Sequence, residues 1–579
     1  MCPRISSEGQ PEEDSKVQCR AAWGSPILAM AVFVIICCTR GYFLADTRGY
    51  SEDISRSLDR SPFGAGSQLW EFGHVLWRPL GWALTRIGGP LFSRFTHWGP
   101  LQAAAFVLIA ISMIAGCVTV LLWRSLALEI TGSRAVSFLV ALAFACSNSF
   151  LTFLHSGASY LPGLLCVTLG LWVLRRPAGE GAAGPGAISC SAVLGVVAAL
   201  FWLPYVFSIP GMIFWAISQA RLPANARGAL GREQLKRAIL FAVVFAIVLL
   251  AGLGAAGWAH GIGSAAEAKA WAADSSHGWS QTIRVARLAT GLPRAFFYLA
   301  KDGLLYKRFL LKDPYAPVTL MDLVGASLWK IALFYCFLAC LIYELVRNFR
   351  SRRLFLALLA GSVPTLAFAV FVFEPGSPER YFPAYPFLIL AVAWALRDFR
   401  RVRRAGQWII TAFLVCMSVT SVYYMSRPRI DREDSGRLVR LEGLPRPARG
   451  AMVAVVSNQD ALYSTCSRLP FNRDAAIPMD DVIGAATDRI LTWRRDFSRS
   501  ALDAWSQGKD VWVSKRFWAA RPLPEWNWAE GDDKRIKWKE LPEFFRPLET
   551  DGECGGLDGF YKLKPGEVNL QKLGAFVNP

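Results

Sequence analysis

Four stretches of the chain carry residue types that could do chemistry. The first is RGYFLADTRGYSEDI (residues 40–54), with carboxylates at Asp46, Glu52 and Asp53 just beyond an apolar run. A carboxylate placed there could take a proton from an alcohol or bind a divalent metal. The second, QLWEFGHVLWRPLGWAL (68–84), is aromatic and puts His74 and Arg78 on neighbouring turns of a helix. The third, FEPGSPERYFPAYPFLIL (373–390), makes a tight Pro/Gly turn and then sets Glu379, Arg380 and Tyr381 at the start of an apolar segment. The arginine fork suits a phosphate, and a helix N-terminus favours an anion. The fourth, NSFLTFLHSGASYLPGLL (148–165), has His155 and Tyr160 flanking a short turn.

What could position these residues is a set of membrane spans. Of the 579 residues, 53% are hydrophobic, and they cluster in long blocks. A span needs about 20 apolar residues. The blocks predict eleven: 25–44, 101–123, 135–153, 159–174, 188–203, 205–219, 238–258, 322–346, 354–373, 382–396 and 407–425. The pair around Pro204 could instead be one kinked helix. The polar stretch 1–22 has no evident cleavage site after it and reads as a cytoplasmic tail, with the first block retained.

Charge sets the direction. The net charge of +19 comes largely from Arg and Lys between apolar blocks, so a membrane explains it better than nucleic acid, whose binding modules leave no motif here. With the N-terminus inside, Arg124 and Arg134, Arg175 and Arg176, Arg347 to Arg353, and Arg397 to Arg404 all fall on inner connections. The outer turns near 155, 204 and 374–381 hold few basic residues. The expectation is therefore a multi-pass α-helical protein of the cell inner (plasma) membrane, with a transmembrane domain over 23–425. Its outer segments are 45–100, 259–321 and 426–579. The 279–312 stretch spaces apolar and basic residues as an interfacial helix would. The last segment has strand-like runs at 451–457 and 510–514 around a helical stretch, which predicts a small α/β extracytoplasmic domain. Most cysteines lie in apolar blocks, and no zinc spacing occurs. Cys466 and Cys554 are expected to form a disulfide on the outer side.

This topology gathers Arg40, Asp46, Glu52, Asp53, His74, Arg78, His155, Tyr160, Glu374, Glu379, Arg380 and Tyr381 at one depth, on the outer face. Three of the stretches together are similar to the GT-C superfamily of polytopic membrane glycosyltransferases, of the aminoarabinose transferase and protein O-mannosyltransferase type. The resemblance rests on the acid after the first span, on His-x-Leu-Trp-x-Pro-Leu from His74 to Leu80, and on Glu-Arg-Tyr-x-x-Pro-x-Tyr-Pro from Glu379 to Pro386. It covers about 45–425. It implies transfer of a sugar from a polyprenyl-phosphate donor to a glycan, lipid or protein acceptor on the outer side. It further implies Asp46 as general base, with Glu52 or Asp53 second, and Arg380 on the lipid phosphate. Arg78, Lys301 and Arg308 are lesser helpers. The only cofactor in view is a divalent metal, and there the chain departs from many relatives: they carry Asp-Glu after the first span, where this one has Asp46-Thr47. Two other classes stay open, a transporter or flippase and a non-catalytic envelope assembly protein. Neither internal repeats nor clear mid-membrane charges speak for transport.

Overall fold

The computed structural model describes residues 26–39, 45–58, 61–64, 67–95, 100–175, 184–218, 227–274, 285–299, 309, 318–347, 352–372, 376–397, 404–426, 452–455, 476–478, 489–519, 540–554 and 560–577. Arg40, Glu374, Lys301, Arg308 and Cys466 lie outside them. The chain divides into two compact units. One comprises 1–298 and 329–427, the other 299–328 and 428–579.

The first unit is helical. Its elements are α1 (Pro26–Cys38), α2 (Ala45–Ser57), α3 (Trp77–Phe95), α4 (Pro100–Thr131), α5 (Arg134–Ala145), α6 (Asn148–Leu154), α7 (Tyr160–Val173), α8 (Pro185–Phe201), α9 (Ile209–Ser218), α10 (Arg227–His260), α11 (Ala265–Asp274), α12 (Val285–Phe296), α13 (Trp329–Arg347), α14 (Arg352–Phe371), α15 (Tyr385–Ala395) and α16 (Ala405–Ser426). Five helices are long and apolar enough to cross a membrane: α4, α10, α13, α14 and α16. The pair α5 and α6, bent by 63°, makes a sixth if it is one span. Each of the other predicted segments contains a helix, but a shorter one. Prolines are one physical cause. Pro204 and Pro210 turn Leu203–Ser208 into a 3-10 helix ahead of α9, and Pro378, Pro383 and Pro386 do the same to Pro378–Ala384 ahead of α15. Within 279–312 the described residues form the helix α12, whose last turn is buried in the bundle at Leu292, Ala295 and Phe296.

Glycine decides how closely two of these helices meet. A Cβ on Gly211 of α9 would lie 2.5 Å from the Cα of Gly361 in α14, and a Cβ on Gly361 would lie 2.2 Å from the Phe387 ring. The two backbones therefore cross in direct contact, as small residues allow between membrane helices. One turn before Gly211 and two after Gly361, the rings of Phe207 and Phe368 pack at 4.4 Å.

Around α12 the polar bonding is unusually dense. Asn148 Nδ2 donates to Arg294 O at 2.8 Å, and Ser149 Oγ and Tyr385 Oη each reach Ala295 O at 2.9 Å. Ser421 Oγ donates to Phe296 O. These side chains satisfy the last carbonyls of the helix, which have no partner within it. Phe296 and Phe297 are buried behind them.

The second unit holds a mixed five-stranded sheet in the order β2-β1-β3-β5-β4, with β1 at Met452–Val455, β2 at Ala476–Pro478, β3 at Val511–Ser514, β4 at Thr550–Cys554 and β5 at Phe560–Leu563. β1 runs parallel to β2 and β3, while β5 runs antiparallel to β3 and β4. The helices Arg489–Ser506 and Glu567–Val577 bury Phe497, Ala501 and Leu573 with Val511, Val513 and Leu563 in one core. Both predicted strands and the helix between them are present. The expected Cys466–Cys554 pairing involves a residue outside the described ones.

Candidate functional site

α2 is the element that organises the site. Asp46, Tyr50 and Asp53 are four and three residues apart, so they form one stripe along the helix. The other side is fixed against the bundle by Thr47, Ser51 and Ile54, all buried. Thr47 has a definite task. Its Oγ1 accepts from the Gly157 N–H at 2.7 Å, and a Cβ on Gly157 would come within 2.8 Å of the Thr47 methyl. The Trp77 indole donates to Gly157 O, and Ser112 Oγ to Ala158 O. The 156–159 turn is thus locked beside the first turn of α2, which brings Tyr160 to Asp46. The residue after Asp46 is thus a buried threonine that holds the turn.

A cavity of about 390 Å³ opens there. Asp46, Tyr50, Glu71, His74, Tyr160 and Arg380 line it together with Phe72, Gly73, Trp202, Leu203, Pro204, Val206, Phe207, Ala272 and Phe368. It has a polar cluster from α2, the 71–74 segment, α7 and the 378–384 turn, and an apolar wall from 202–207 and α14. The Tyr160 hydroxyl donates to Asp46 Oδ2 at 3.0 Å. Burial, reinforced by the negative charge of Glu379, pushes the Asp46 carboxyl up to about 6, against the pull of the Tyr160 hydrogen bond and the Arg380 charge. A carboxylate with that proton affinity is mostly ionised at neutral pH, yet still a competent proton acceptor.

His74 is held by its other role. Its Nδ1 lies 3.1 Å from Phe201 O and 2.7 Å from Ser159 Oγ. The Leu76 N–H donates to Leu200 O at 3.0 Å. Together they satisfy the final carbonyls of α8 and dock the 71–76 segment onto it. A carbonyl can only accept, so the geometry assigns the proton to Nδ1 and leaves Nε2 as the ring's acceptor. Burial, helped by the charges of Arg78 and Arg380, lowers its proton affinity, so the ring is neutral.

Arg380 sits in a clamped turn. Ser149 Oγ lies 3.2 Å from Pro378 O, and Ser208 Oγ donates to Pro383 O. Tyr381 and Phe382 on the same turn are fully buried. The guanidinium lies 3.5 Å from Glu379 and 5.9 Å from the centre of the Trp202 ring. Glu379 therefore backs Arg380, and neither Glu379 nor Tyr381 is among the residues lining the cavity.

The other expected residues fall elsewhere. Asp53 pairs with Arg78 at 3.2 Å, and Arg56 reaches Glu52 and Asp53 along α2. Arg78 also binds Glu71 at 2.7 Å and donates to Gln68 O. His155 Nε2 meets Thr39 Oγ1 at 2.9 Å, joining the end of α1 to the end of α6. Sequence reasoning missed Tyr50, Glu71, Trp202, Phe207 and Phe368. Only Glu71 carried a usable signal, as an acid three residues before His74 in an otherwise apolar stretch. Among the described residues no three His, Cys, Asp or Glu side chains come together to hold a metal ion.

No protein-family model matches the sequence, and no curated protein does. Solved structures do share its outline. The chain is similar to the archaeal oligosaccharyltransferase AglB from Archaeoglobus fulgidus, determined with an inhibitory peptide and a dolichol-phosphate, at 14% identity over 96% of this chain and 78% of that one, TM-score 0.41. It is also similar to ArnT from Cupriavidus metallidurans bound to undecaprenyl phosphate, at 12% identity over 95% of this chain and 98% of that one, TM-score 0.45. The apo form of the same ArnT aligns at 13% identity over 97% and 100%, TM-score 0.42. These are likenesses of outline, and what the site can do rests on its own side chains.

Proposed function

We propose that this chain is an integral membrane glycosyltransferase of GT-C type, moving a sugar from a polyprenyl-phosphate donor to an acceptor on the outer side of the membrane. One observation carries the reading: Asp46, with its proton affinity raised close to neutrality, shares a cavity with Arg380 and an apolar wall. That combination suits an amphiphile with an anionic head. In the proposed step the acceptor O–H gives its proton to the Asp46 carboxylate while its oxygen bonds to the anomeric carbon. The bond from that carbon to the phosphate oxygen breaks, and its electron pair leaves with the phosphate. Arg380 stabilises the charge that develops there; such contacts are worth on the order of 3 kcal/mol. Tyr160 holds Asp46 in position, and Thr47 positions Tyr160 by locking the turn before it.

The proposal includes the topology. Basic residues on alternate connections support an inward N-terminus, eleven crossings of the inner membrane, some by short or bent helices, and an extracytoplasmic location for 426–579. The direct test is transfer of a single sugar from a polyprenyl-phosphate donor by purified protein in lipid, comparing wild type with Asp46→Asn. A substituted protein that stays folded and fully active would remove Asp46 as the base.

A further inference from the structure

One acid in the cavity is not used by that mechanism. Glu71 lines the cavity, yet its carboxylate does not face Asp46 as a bare second charge, because Arg78 grips Oε2 at 2.7 Å. Arg78 is itself fixed from two more directions, by Asp53 Oδ2 at 3.2 Å and by Gln68 O at 2.6 Å. Its guanidinium lies 5.1 Å from the Tyr50 ring centre. An arginine with its fork occupied by two carboxylates and a carbonyl is a bracket and poorly placed to bind a substrate phosphate. What it brackets is an oriented carboxylate on the cavity wall. Phe72 stands next to it and is steadied edge-on by Trp271 at 5.1 Å.

From this arrangement we infer that Glu71 is a specificity-determining residue, accepting hydrogen bonds from the ring hydroxyls of the donor sugar, and that Arg78 is the positioning residue that aims it. The inference rests on the transferase reading of the cavity and names what recognises the sugar. A carboxylate has two oxygens and room for several donors, so one oxygen can stay with Arg78 while hydroxyls approach. An aromatic ring beside it offers a face for the C–H side of a sugar. Arg78 keeps the carboxylate fixed, so it accepts without needing to rotate.

The experiment measures binding and transfer with three probes: a polyprenyl phosphate carrying one hexose, the same donor with single ring hydroxyls removed, and bare polyprenyl phosphate. In wild type, removing the hydroxyl that meets Glu71 should weaken donor binding about tenfold to a hundredfold, the size of one hydrogen bond to a charged group. Glu71→Gln should weaken the hexose donor by a similar factor and erase the penalty for the deoxy donor. Its affinity for bare polyprenyl phosphate should hold, and the acid limb of its pH profile should move only a little, to lower pH, because the Glu71 charge is the smallest of those raising Asp46. Arg78→Gln should copy the Glu71→Gln pattern, and Arg78→Lys should recover part of it. Equal loss of affinity for bare and hexose-bearing lipid would overturn the inference, as would an unchanged deoxy penalty in Glu71→Gln. The two readings separate cleanly. Wild type that discriminates between the lipids by Glu71 but transfers no sugar would end the transferase reading alone. Transfer that ignores Glu71 would end only this inference.

Discussion

The two ends of α2 use aspartate in opposite ways. Asp53, near the C-terminus, is paired with Arg78 and Arg56 and forms part of a fixed bracket. Asp46, two turns earlier on the same stripe, meets a tyrosine hydroxyl. Both carboxyls are raised by burial, and for Asp53 the two arginines pull back. Residue type and helix face are shared, so the partner alone separates an acid held in ion pairs from the one proposed as the base.

The strongest attack on that contrast is Asp46→Asn. Transfer should fall by about a thousandfold, within the usual range for a lost general base. Stability should not fall with it. A carboxyl whose folded pKa lies above its unfolded value gives up stability as pH rises from about 4 to about 6, because the folded state prefers the neutral form. At neutral pH the asparagine variant should therefore melt at the same temperature as wild type or higher, and the gap should close as pH is lowered through that window. In wild type, kcat/KM should rise with pH through an apparent pKa near 6 as Asp46 ionises. A flat profile would break its assignment as the base.

Next in size is Arg380→Gln. Donor binding should weaken roughly tenfold to a hundredfold, as for loss of a charge-assisted contact, and the loss should appear with bare polyprenyl phosphate too. Asp53→Asn tests the other end of the helix. Burial raises this carboxyl against the pull of its two arginines, so its charge gives no net stability at neutral pH. The melting temperature should hold or rise, while the pH limb stays in place because Asp53 is not among the charges acting on Asp46. The smallest effect sharpens the contrast: Tyr160→Phe removes the hydrogen bond that favours ionised Asp46, so the acid limb should move to higher pH. A shift to lower pH would mean that the hydroxyl does not hold the carboxylate.

Depth was legible in the sequence, and direction around the bundle was not. Hydropathy and basic residues placed Asp46, His74, Tyr160 and Arg380 at one level, and the structure brings all four to one cavity. The same signal placed His155 and Arg78 at that level, but one binds Thr39 and the other braces two acids. Position around a helix depends on which neighbours it packs against, and that information is spread over contacts such as Gly157 on Thr47, 110 residues apart. Phe207 and Phe368 were invisible for another reason. In a chain with 37 phenylalanines, an aromatic residue lining a cavity reads the same as one facing lipid. Two strands of the small sheet, β1 and β3, and the helix between them were easier, since each is a continuous local pattern; β2, β4 and β5 were missed. Span length was overestimated where prolines break the helix inside an apolar block.

The contact between Gly211 and Gly361 has a consequence for evolution of the chain. The aromatic pair Phe207–Phe368 lies along the same seam, so the width of the apolar wall is set by two missing side chains elsewhere on the seam. A single methyl at either glycine would act as a spacer, parting the two helices and with them the rings. The width of the cavity at that wall is thus open to retuning by one substitution at a residue that does not line it.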